Sequence, residues 1–212
     1  MARLLRIPWL LMSWWETAYL HSPPWEIGAP QPEIFQIAEN DEILGDKVLD
    51  LGCGPCDNAI FLAKKGLSIT CFDISQLAID KGKEKATIAG LKMRFIVGDA
   101  LHLETFFSEG MFTTVIDSGF FHTLNDDDRP IFAKKICRVL AKEGRYFILC
   151  FSDKGEVGLY PRRVSKKEII DTFSQMFYIN YIKEAIIVRS MKAETGTLDV
   201  KVKAYLASLT KK

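Results

Sequence analysis

The sequence has no strong excess of either charge and no long apolar run, and both absences narrow the possible partners. The formal net charge of the 212 residues is +1 and the Lys and Arg residues are scattered, so we expect no nucleic-acid partner. The apolar residues 7–11, which follow Arg3 and Arg6, are interrupted well before the ~20 residues that cross a bilayer. No small-x-small cleavage site follows them. We therefore predict a cytoplasmic protein that does not associate with a membrane.

Cysteine is also scarce and odd in number. The five cysteines occur in a chain that is too large to need disulfides, so we predict reduced thiols. Cys53 and Cys56 form a C-x-x-C pair, but no second pair or histidine cluster follows to complete the ~4 ligands of a zinc site. We therefore predict no metal and expect these thiols to pack or to line a pocket. A redox pair stays open as the alternative.

An unusual density of aromatic residues opens the sequence. Trp14, Trp15 and Tyr19 precede a proline-rich segment at residues 22–32, and Trp25 lies within it. Aromatic side chains ahead of the main fold suit a lid that excludes water from a site, although each ring also suits a packed core. We therefore divide the chain into an N-terminal aromatic lid segment, residues 1–32, and an α/β domain, residues 33–212.

The rest of the sequence alternates between the apolar periodicities of strands and helices. Predicted strands cover residues 48–51, 68–72, 93–97, 112–116 and 146–151. Predicted helices cover residues 33–39, 58–65, 75–90 and 126–140, the last closed by Gly144, and residues 165–168 have capping-box spacing before a further helix. Two strand-like runs, 182–189 and 198–206, flank a polar turn that contains Gly196. This order predicts a doubly wound, mostly parallel α/β sheet with an antiparallel C-terminal hairpin.

A glycine turn and three acids mark the carboxyl ends of the first three predicted strands. The first strand ends in Asp50-x-Gly52-x-Gly54, and glycines let the backbone approach a ligand closely. Asp73 ends the second strand, where an acid accepts ribose hydroxyls, and Asp99 ends the third, where an acid suits an adenine amino group. Asp50 suits the amino group of an amino-acid-bearing cofactor. Together they predict a cofactor that joins an amino acid to a nucleoside.

These residues resemble the successive motifs of the class I S-adenosylmethionine-dependent methyltransferases. The likeness covers about residues 34–151 and includes Gly98-Asp99-Ala100 after the third strand. Residues 24–32 (PWEIGAPQP), 117–122 (DSGFFH) and 158–165 (GLYPRRVS) further resemble a small-molecule subgroup that includes thiol, thiopurine-like and heterocyclic-toxin methyltransferases. The resemblance implies a Rossmann-like seven-stranded sheet, S-adenosyl-L-methionine as cofactor, and a small-molecule S, N or O nucleophile as methyl acceptor.

The resemblance also implies roles for individual residues. His122 is the candidate base, with Asp117 orienting the acceptor, although a hydrogen-bonded structural histidine is the alternative. The expected cofactor contacts are Trp25, Asp50, Gly52, Gly54, Cys56, Asp73, Ile74, Asp99, Ala100 and Asp117. The expected acceptor contacts are Trp15, Tyr19, His21, Phe121 and Arg162. We expect Trp25 to lie against the sulfonium by cation–π attraction. Because relatives commonly have glycine at the position of Cys56, we expect the Cys56 side chain to crowd or touch the methionine part of the cofactor.

Two other functions stay open on the sequence alone. A nicotinamide-dependent oxidoreductase shares the sheet, but its third glycine would stand where this chain has Asp57, and no Tyr-x-x-x-Lys pair is present. A non-catalytic cofactor-binding or partner-activating protein would bind the cofactor without transferring a methyl group. The sequence names neither the acceptor nor the oligomeric state, which stays open, although the edge hairpin offers one surface for pairing between subunits.

Overall fold

The computed structural model describes residues 14–155, 161–193 and 196–212. The α-helices are α1 (Trp14–Leu20), α2 (Pro32–Glu39), α3 (Asp57–Lys64), α4 (Gln76–Ile88), α5 (Asp128–Val139) and α6 (Lys166–Phe173). The strands are β1 (Lys47–Leu51), β2 (Ser68–Asp73), β3 (Arg94–Val97), β4 (Phe112–Ser118), β5 (Leu140–Phe151), β6 (Phe177–Ala193) and β7 (Gly196–Lys211). The apolar residues 7–11 and residues 158–160 of the subgroup resemblance lie outside the described residues.

The seven strands form one sheet in the order β3-β2-β1-β4-β5-β7-β6. The first five strands pair in parallel, and β7 pairs antiparallel with both β5 and β6. The predicted doubly wound, mostly parallel sheet with an antiparallel C-terminal hairpin is confirmed. Among the described helices, none is both long and apolar enough to cross a lipid bilayer.

The boundary between α5 and β5 differs from the predicted one. The sequence places a helix to residue 140 closed by Gly144, but α5 ends at Val139 and Gly144 lies inside β5. Leu140 pairs with Phe112, and the register then shifts before Thr114 pairs with Arg145. The extra residues of this irregularity include Glu143 at φ +61°. In the sequence, these residues have the pattern of a turn that ends a helix. Strand pairing therefore begins earlier than the local pattern indicates.

Apolar side chains cover both faces of the sheet, as alternation along a strand requires. On one face, Val48 packs with residues of α2, α3 and α4 such as Ile34, Leu62 and Ile79. On the other, Leu49 packs with residues of α5 and α6. Helices on both faces leave the carboxyl ends of the parallel strands open at one edge. The strand order reverses there between β1 and β4, which is where ligands bind in open α/β sheets.

Candidate active site

A cavity of about 740 Å³ lies over the carboxyl ends of β1, β2, β3 and β4. Its wall continues onto the end of β5 at Phe151, onto β6 at Arg189, and onto α1 and the segment that follows it. This volume is within the roughly 300–1,000 Å³ of small-molecule sites. The cavity therefore has room for small ligands at the topological switch point.

Two glycines bring the backbone to the part of the cavity next to β1. Gly52 and Gly54 adopt φ values of +62° and +52°, a region that favours glycine. A Cβ on Gly52 would lie 2.9 Å from the Cβ of Phe120, and one on Gly54 would lie 2.9 Å from the Tyr19 hydroxyl. The N–H of Gly52 donates to the Phe72 carbonyl at 2.8 Å and fixes the turn. Both glycines are thus required by conformation and by space.

Asp73 joins the turn to the start of α4. Its Oδ2 accepts from the Gly54 N–H and its Oδ1 accepts from the Ser75 N–H, both at 2.9 Å. Burial raises the pKa of Asp73 to about 6, against the opposing effect of these two hydrogen bonds. Each carboxylate oxygen retains a further lone pair, and the residue lines the cavity. The structure therefore presents a rotationally fixed acceptor to a ligand.

The loop after β3 supplies a second acid to the same wall. Asp99 caps a short 3₁₀ helix (Ala100–Thr105) by accepting from the Leu101 N–H at 2.9 Å. Asp99 and Ala100 line the cavity, as does the half-exposed Ile74 after β2. Two of the three predicted strand-end acids, Asp73 and Asp99, thus meet in one cavity.

Aromatic residues of the N-terminal segment close the cavity from above. Trp14, Trp15, Tyr19 and Trp25 all line it, and the Trp25 Nε1–H donates to the Tyr19 hydroxyl at 3.0 Å. The Trp25 ring lies 5.8 Å from that of Trp15 and 6.0 Å from that of Tyr19. His21 also lines the cavity. Four of these side chains form the lid cluster: Trp14, Trp15, Tyr19 and Trp25.

The lid cluster is held to the domain by a carboxylate at a helix terminus. Glu16 accepts from the N–H groups of Gln76 at 2.6 Å and Leu77 at 3.3 Å, and from the Ser75 hydroxyl at 3.0 Å. These groups open α4, whose unpaired amides carry a positive partial charge. Since Ser75 is also bound by Asp73 through its N–H, the lid attachment and the cavity acid share one turn.

A histidine and an arginine form the opposite end of the cavity. The His122 Nδ1 accepts from the Phe151 N–H at 3.1 Å, and the imidazole stacks on the Phe151 ring with centroids 4.4 Å apart and an interplanar angle of 4°. Burial, together with the charges of Arg163, Arg189 and Arg129, lowers the pKa of His122 to about 3. The imidazole is therefore neutral. Because Nδ1 accepts the backbone proton, the ring hydrogen lies on Nε2.

Arg189 contributes a positive charge to the same end. It lines the cavity, and its guanidinium carbon lies 5.8 Å from the Phe151 ring centroid. Burial and the nearby Arg163 lower its pKa. Within residues 14–155, 161–193 and 196–212, none of the ion pairs involves Arg189. This end of the cavity is therefore electropositive and offers hydrogen-bond donors.

Comparisons with known proteins agree with this geometry. A family model described as a methyltransferase domain matches residues 48–144. The 2-heptyl-1-hydroxyquinolin-4(1H)-one methyltransferase of Mycobacteroides abscessus is 34% identical over 169 residues, which cover 77% of this chain and 72% of that protein. The chain belongs to the S-adenosylmethionine-dependent methyltransferases.

This methyltransferase is also similar to two proteins whose descriptions name small molecules or thiol chemistry. A probable thiol methyltransferase 2 of Arabidopsis thaliana is 26% identical over 157 residues, covering 73% of this chain and 68% of that protein. A solved structure described as "Conversion of a Disulfide Bond into a Thioacetal Group during Echinomycin Biosynthesis" is 32% identical, with a TM-score of 0.80, and covers 89% of this chain and 84% of that chain. The predicted family and its cofactor are confirmed.

The residues present fit S-adenosylmethionine. The turn at Gly52 and Gly54 is a cradle that a Cβ would fill, and fixed carboxylates at Asp73 and Asp99 border it. Carboxylates suit ribose hydroxyls and an adenine amino group as partners, since both are donors. A third acid, Asp50, lies behind the turn and outside the cavity wall.

The methyltransferase site excludes some residues that the sequence assigned to it. Asp50 is buried away from the cavity, and its Oδ2 has no hydrogen-bond partner among the described residues. Asp117 is also buried; its Oδ1 accepts from the N–H groups of Phe120 and Phe121, and its Oδ2 accepts from the Tyr146 hydroxyl. Burial raises the pKa of Asp117 to about 7. Asp117 therefore positions the loop after β4 and is not among the residues that line the cavity.

The expected acceptor contacts are brought together only in part. Trp15, Tyr19 and His21 line the cavity. Phe121 instead packs in the core against Phe132 and Phe173, because the chain turns after β4 and presents Phe120 to the cavity. Arg162 is also placed elsewhere: it pairs with Asp126 and Glu168, so its charge is already balanced.

The structure favours His122 as a hydrogen-bond donor and not as the base that the sequence suggested. The residue lines the cavity as expected, but its Nδ1 is occupied by a backbone N–H. With a pKa of about 3, it is too weak a base to hold a proton taken from an acceptor at neutral pH. Its Nε2–H is available to donate a hydrogen bond instead.

Sequence reasoning missed Arg189 and Phe120. Arg189 belongs to a strand that was predicted, but only the antiparallel return of β7 and β6 brings it beside His122. Phe120 and Phe121 are identical in type, and the sequence has no signal for which of them faces the cavity.

Cys56 has a different environment from the one that the sequence suggested. Its side chain is fully buried and points toward α4, where a Cβ on Gly82 would lie 2.5 Å from the Cys56 Sγ. The backbone has φ +66°, a conformation that glycine adopts without strain. The Cys56 side chain therefore does not crowd the cavity, in contrast to our expectation.

Replacing Cys56 with glycine should leave cofactor affinity within about twofold of the wild-type value. The left-handed backbone costs a residue with a Cβ roughly 1–2 kcal/mol, and relief of this strain offsets the loss of a buried thiol. Isothermal titration calorimetry with S-adenosylmethionine measures the affinity, and thermal unfolding reports stability. A loss of affinity above tenfold in a stably folded variant would show that the thiol contacts the ligand.

Replacing Glu16 with glutamine should weaken the attachment of the lid cluster to α4 and lower cofactor affinity by roughly 2–10-fold. A carboxylate at a helix N-terminus contributes ~0.3–1 kcal/mol, and up to ~2 kcal/mol when partly buried, and glutamine lacks this charge. Tryptophan fluorescence of the lid cluster should shift toward that of solvent-exposed indole. The exposed Glu84 of α4 provides the matched control, because Glu84→Gln removes a charge from the same helix away from the lid. Equal fluorescence and affinity in both variants would contradict this attachment.

Proposed function

We propose that this methyltransferase methylates a small acidic acceptor, either an aromatic or heteroaromatic hydroxyl or a thiol, bound beside His122 and Arg189. The observation that carries the proposal is that one cavity is lined both by Arg189, which is in none of the ion pairs among the described residues, and by a neutral imidazole that donates from Nε2. An anionic oxygen or sulfur matches both groups. The relatives named for a hydroxyquinolone and for a thiol support this acceptor class.

Bound S-adenosylmethionine supplies an electrophilic sulfonium methyl group. The chain's own residues have three tasks around it. Asp73 and Asp99 hold the nucleoside, the Gly52–Gly54 backbone lets the methionine part approach β1, and the lid cluster excludes water. Trp25 lies in that cluster, where its ring can face a sulfonium cation.

No proton needs to be taken up by the enzyme in this scheme. Arg189 stabilises the ionised acceptor and lowers its pKa in the cavity. His122 donates from Nε2 to the same atom and aligns it. Because the acceptor binds as an anion, its nucleophilic lone pair is already free. Exclusion of water then leaves an anion that is less solvated and more reactive.

The pH dependence of kcat/KM tests this proposal. For phenols, hydroxyquinolones and thiols of graded acidity, we expect the rate to rise with pH and to level off near each acceptor's own pKa, so that the midpoint moves with the acceptor. The sign follows from ionisation, since the anion is the reactive form and increases with pH. A single midpoint shared by all acceptors would indicate an enzyme base and contradict the proposal.

A further inference from the structure

Three cysteine thiols meet behind the glycine turn, and neither the cofactor site nor the acceptor site uses them. The Sγ atoms of Cys53, Cys56 and Cys71 all lie within 4.8 Å of one another, with 3.6 Å between those of Cys53 and Cys56. All three are free thiols. The sequence showed only the C-x-x-C pair; Cys71 is added by the pairing of β2 with β1.

The spacing of the thiols matches a three-sulfur metal site. Sulfur ligands lie ~2.3 Å from a d¹⁰ ion such as zinc, so three sulfurs around such an ion in a plane stand about 4 Å apart. Small rotations about the side-chain torsions are enough to reach this arrangement. Thiolates select soft ions such as copper(I) and zinc(II) over magnesium or calcium.

An independent observation lies next to the thiols. Asp50 is buried, and its Oδ2 is a polar atom without a hydrogen-bond partner among the described residues. Asp50 pairs in register with Cys71 on the neighbouring parallel strand, so the two side chains project from the same face of the sheet. A buried, unpartnered carboxylate oxygen is costly unless it binds a donor or a cation. A metal ion held by the thiols would provide that cation.

Access also favours an ion here. Cys53 is half-buried and lines the cavity, which gives an entry path to two otherwise buried ligands. Each thiol releases one proton to solvent on binding, and no electron transfer is involved.

We propose that Cys53, Cys56 and Cys71 form a binding site for a soft d¹⁰ metal ion, copper(I) or zinc(II). Three sulfurs complete the shell of copper(I), whereas zinc(II) takes a fourth ligand, which Asp50, in register with Cys71, would supply after a rearrangement of its side chain. The Cys56 thiol faces Gly82 of α4, and Cys53 borders the cavity. It goes beyond the methyl-transfer function and does not depend on the identity of the acceptor.

Metal titration of the reduced full chain tests the site. Copper(I) is added under anaerobic conditions against a chromophoric copper(I) chelator, and zinc(II) in parallel against a zinc chelator, with native mass spectrometry giving the stoichiometry. We expect one ion of at least one of the two metals per chain, held through all three thiols. Absence of stoichiometric binding of both ions would overturn the proposal.

Variants separate the cluster from the other thiols. Cys71→Ser and Cys56→Gly should each lower the affinity for the bound ion at least 100-fold, and Cys56→Gly does so at a backbone position that suits glycine. Cys137→Ser is the matched control, because Cys137 is half-buried in α5 and outside the cluster. Binding of S-adenosylmethionine by each variant shows that it is folded. Metal affinity unchanged in Cys71→Ser and Cys56→Gly, or lost in Cys137→Ser, would overturn the assignment.

Discussion

Replacing Asp73 with asparagine should weaken S-adenosylmethionine binding by roughly 100-fold. Hydrogen bonds to a charged group are worth ~1.5–3 kcal/mol each, and a ribose offers two hydroxyls to this carboxylate. Asparagine has nearly the same shape but no charge. Its NH₂ group would also face one of the two backbone N–H donors, of Gly54 or Ser75, that Asp73 now accepts. Isothermal titration calorimetry on the purified variant measures the loss.

Two controls separate the loss of ligand contact from damage to the turn. Asp80→Asn removes a carboxylate from the exposed face of α4 and should leave affinity unchanged. Thermal unfolding without cofactor shows whether Asp73→Asn is folded. If the folded Asp73 variant binds S-adenosylmethionine as tightly as the wild type, Asp73 does not hold the ribose.

The pKa of Asp73 gives the same prediction a pH signature. Burial raises that pKa to about 6, so the carboxylate takes up a proton as the pH falls below this value. The proton competes with the ribose hydroxyls, and cofactor affinity should therefore fall as the pH decreases from 7 to 5. This decline should be absent in Asp73→Asn, because asparagine does not titrate.

Replacing Arg189 with methionine should lower kcat/KM for ionised acceptors by roughly 10–100-fold and leave cofactor affinity within about twofold. The estimate follows from the ~1.5–3 kcal/mol of a charge-assisted hydrogen bond. Methionine retains the apolar part of the side chain beside Phe151 and removes only the charge. Steady-state kinetics with a phenol or thiol, together with calorimetry for the cofactor, distinguish the two sites.

The matched control for Arg189 is an arginine on the outer surface. Arg138 of α5 pairs with Glu109 and does not line the cavity, and Arg138→Met should keep the wild-type rate. The Arg162→Met enzyme should also bind the acceptor as tightly as the wild type, because Arg162 is already paired with Asp126 and Glu168. If Arg189→Met lowers the affinity for the cofactor and leaves the KM of the acceptor unchanged, Arg189 binds the methionine carboxylate of the cofactor instead.

Local patterns were sufficient for most of the fold. The Ser165 capping box precedes α6 as predicted, and Ser75 caps α4 through the Ala78 N–H. These signals are short in range, so a single sequence contains them. The acids at the ends of β2 and β3 could also be predicted, because parallel strands bring their carboxyl ends to one edge.

Features that depend on distant pairing could not be predicted in the same way. Cys71 joins Cys53 and Cys56 because β2 pairs beside β1, and the register decides which side of the sheet its thiol occupies. Arg189 reaches His122 only through the return of the C-terminal hairpin. The lowered pKa that keeps His122 neutral depends on burial and on the charges of three arginines from separate parts of the chain, and one backbone N–H of β5 orients its ring. Each of these three features can be recognised only in the three-dimensional structure.

Transfer of an isotopically labelled methyl group from S-adenosylmethionine to a panel of small acceptors tests the central claim most directly. The panel holds hydroxyquinolones, phenols and thiols beside neutral amines and N-heterocycles of similar size, and mass spectrometry locates the label. We predict that the label appears on the oxygen or sulfur of acidic acceptors and that this transfer falls at least tenfold in Arg189→Met. Transfer to neutral nitrogen alone, or tight cofactor binding without transfer to any acceptor, would contradict the account.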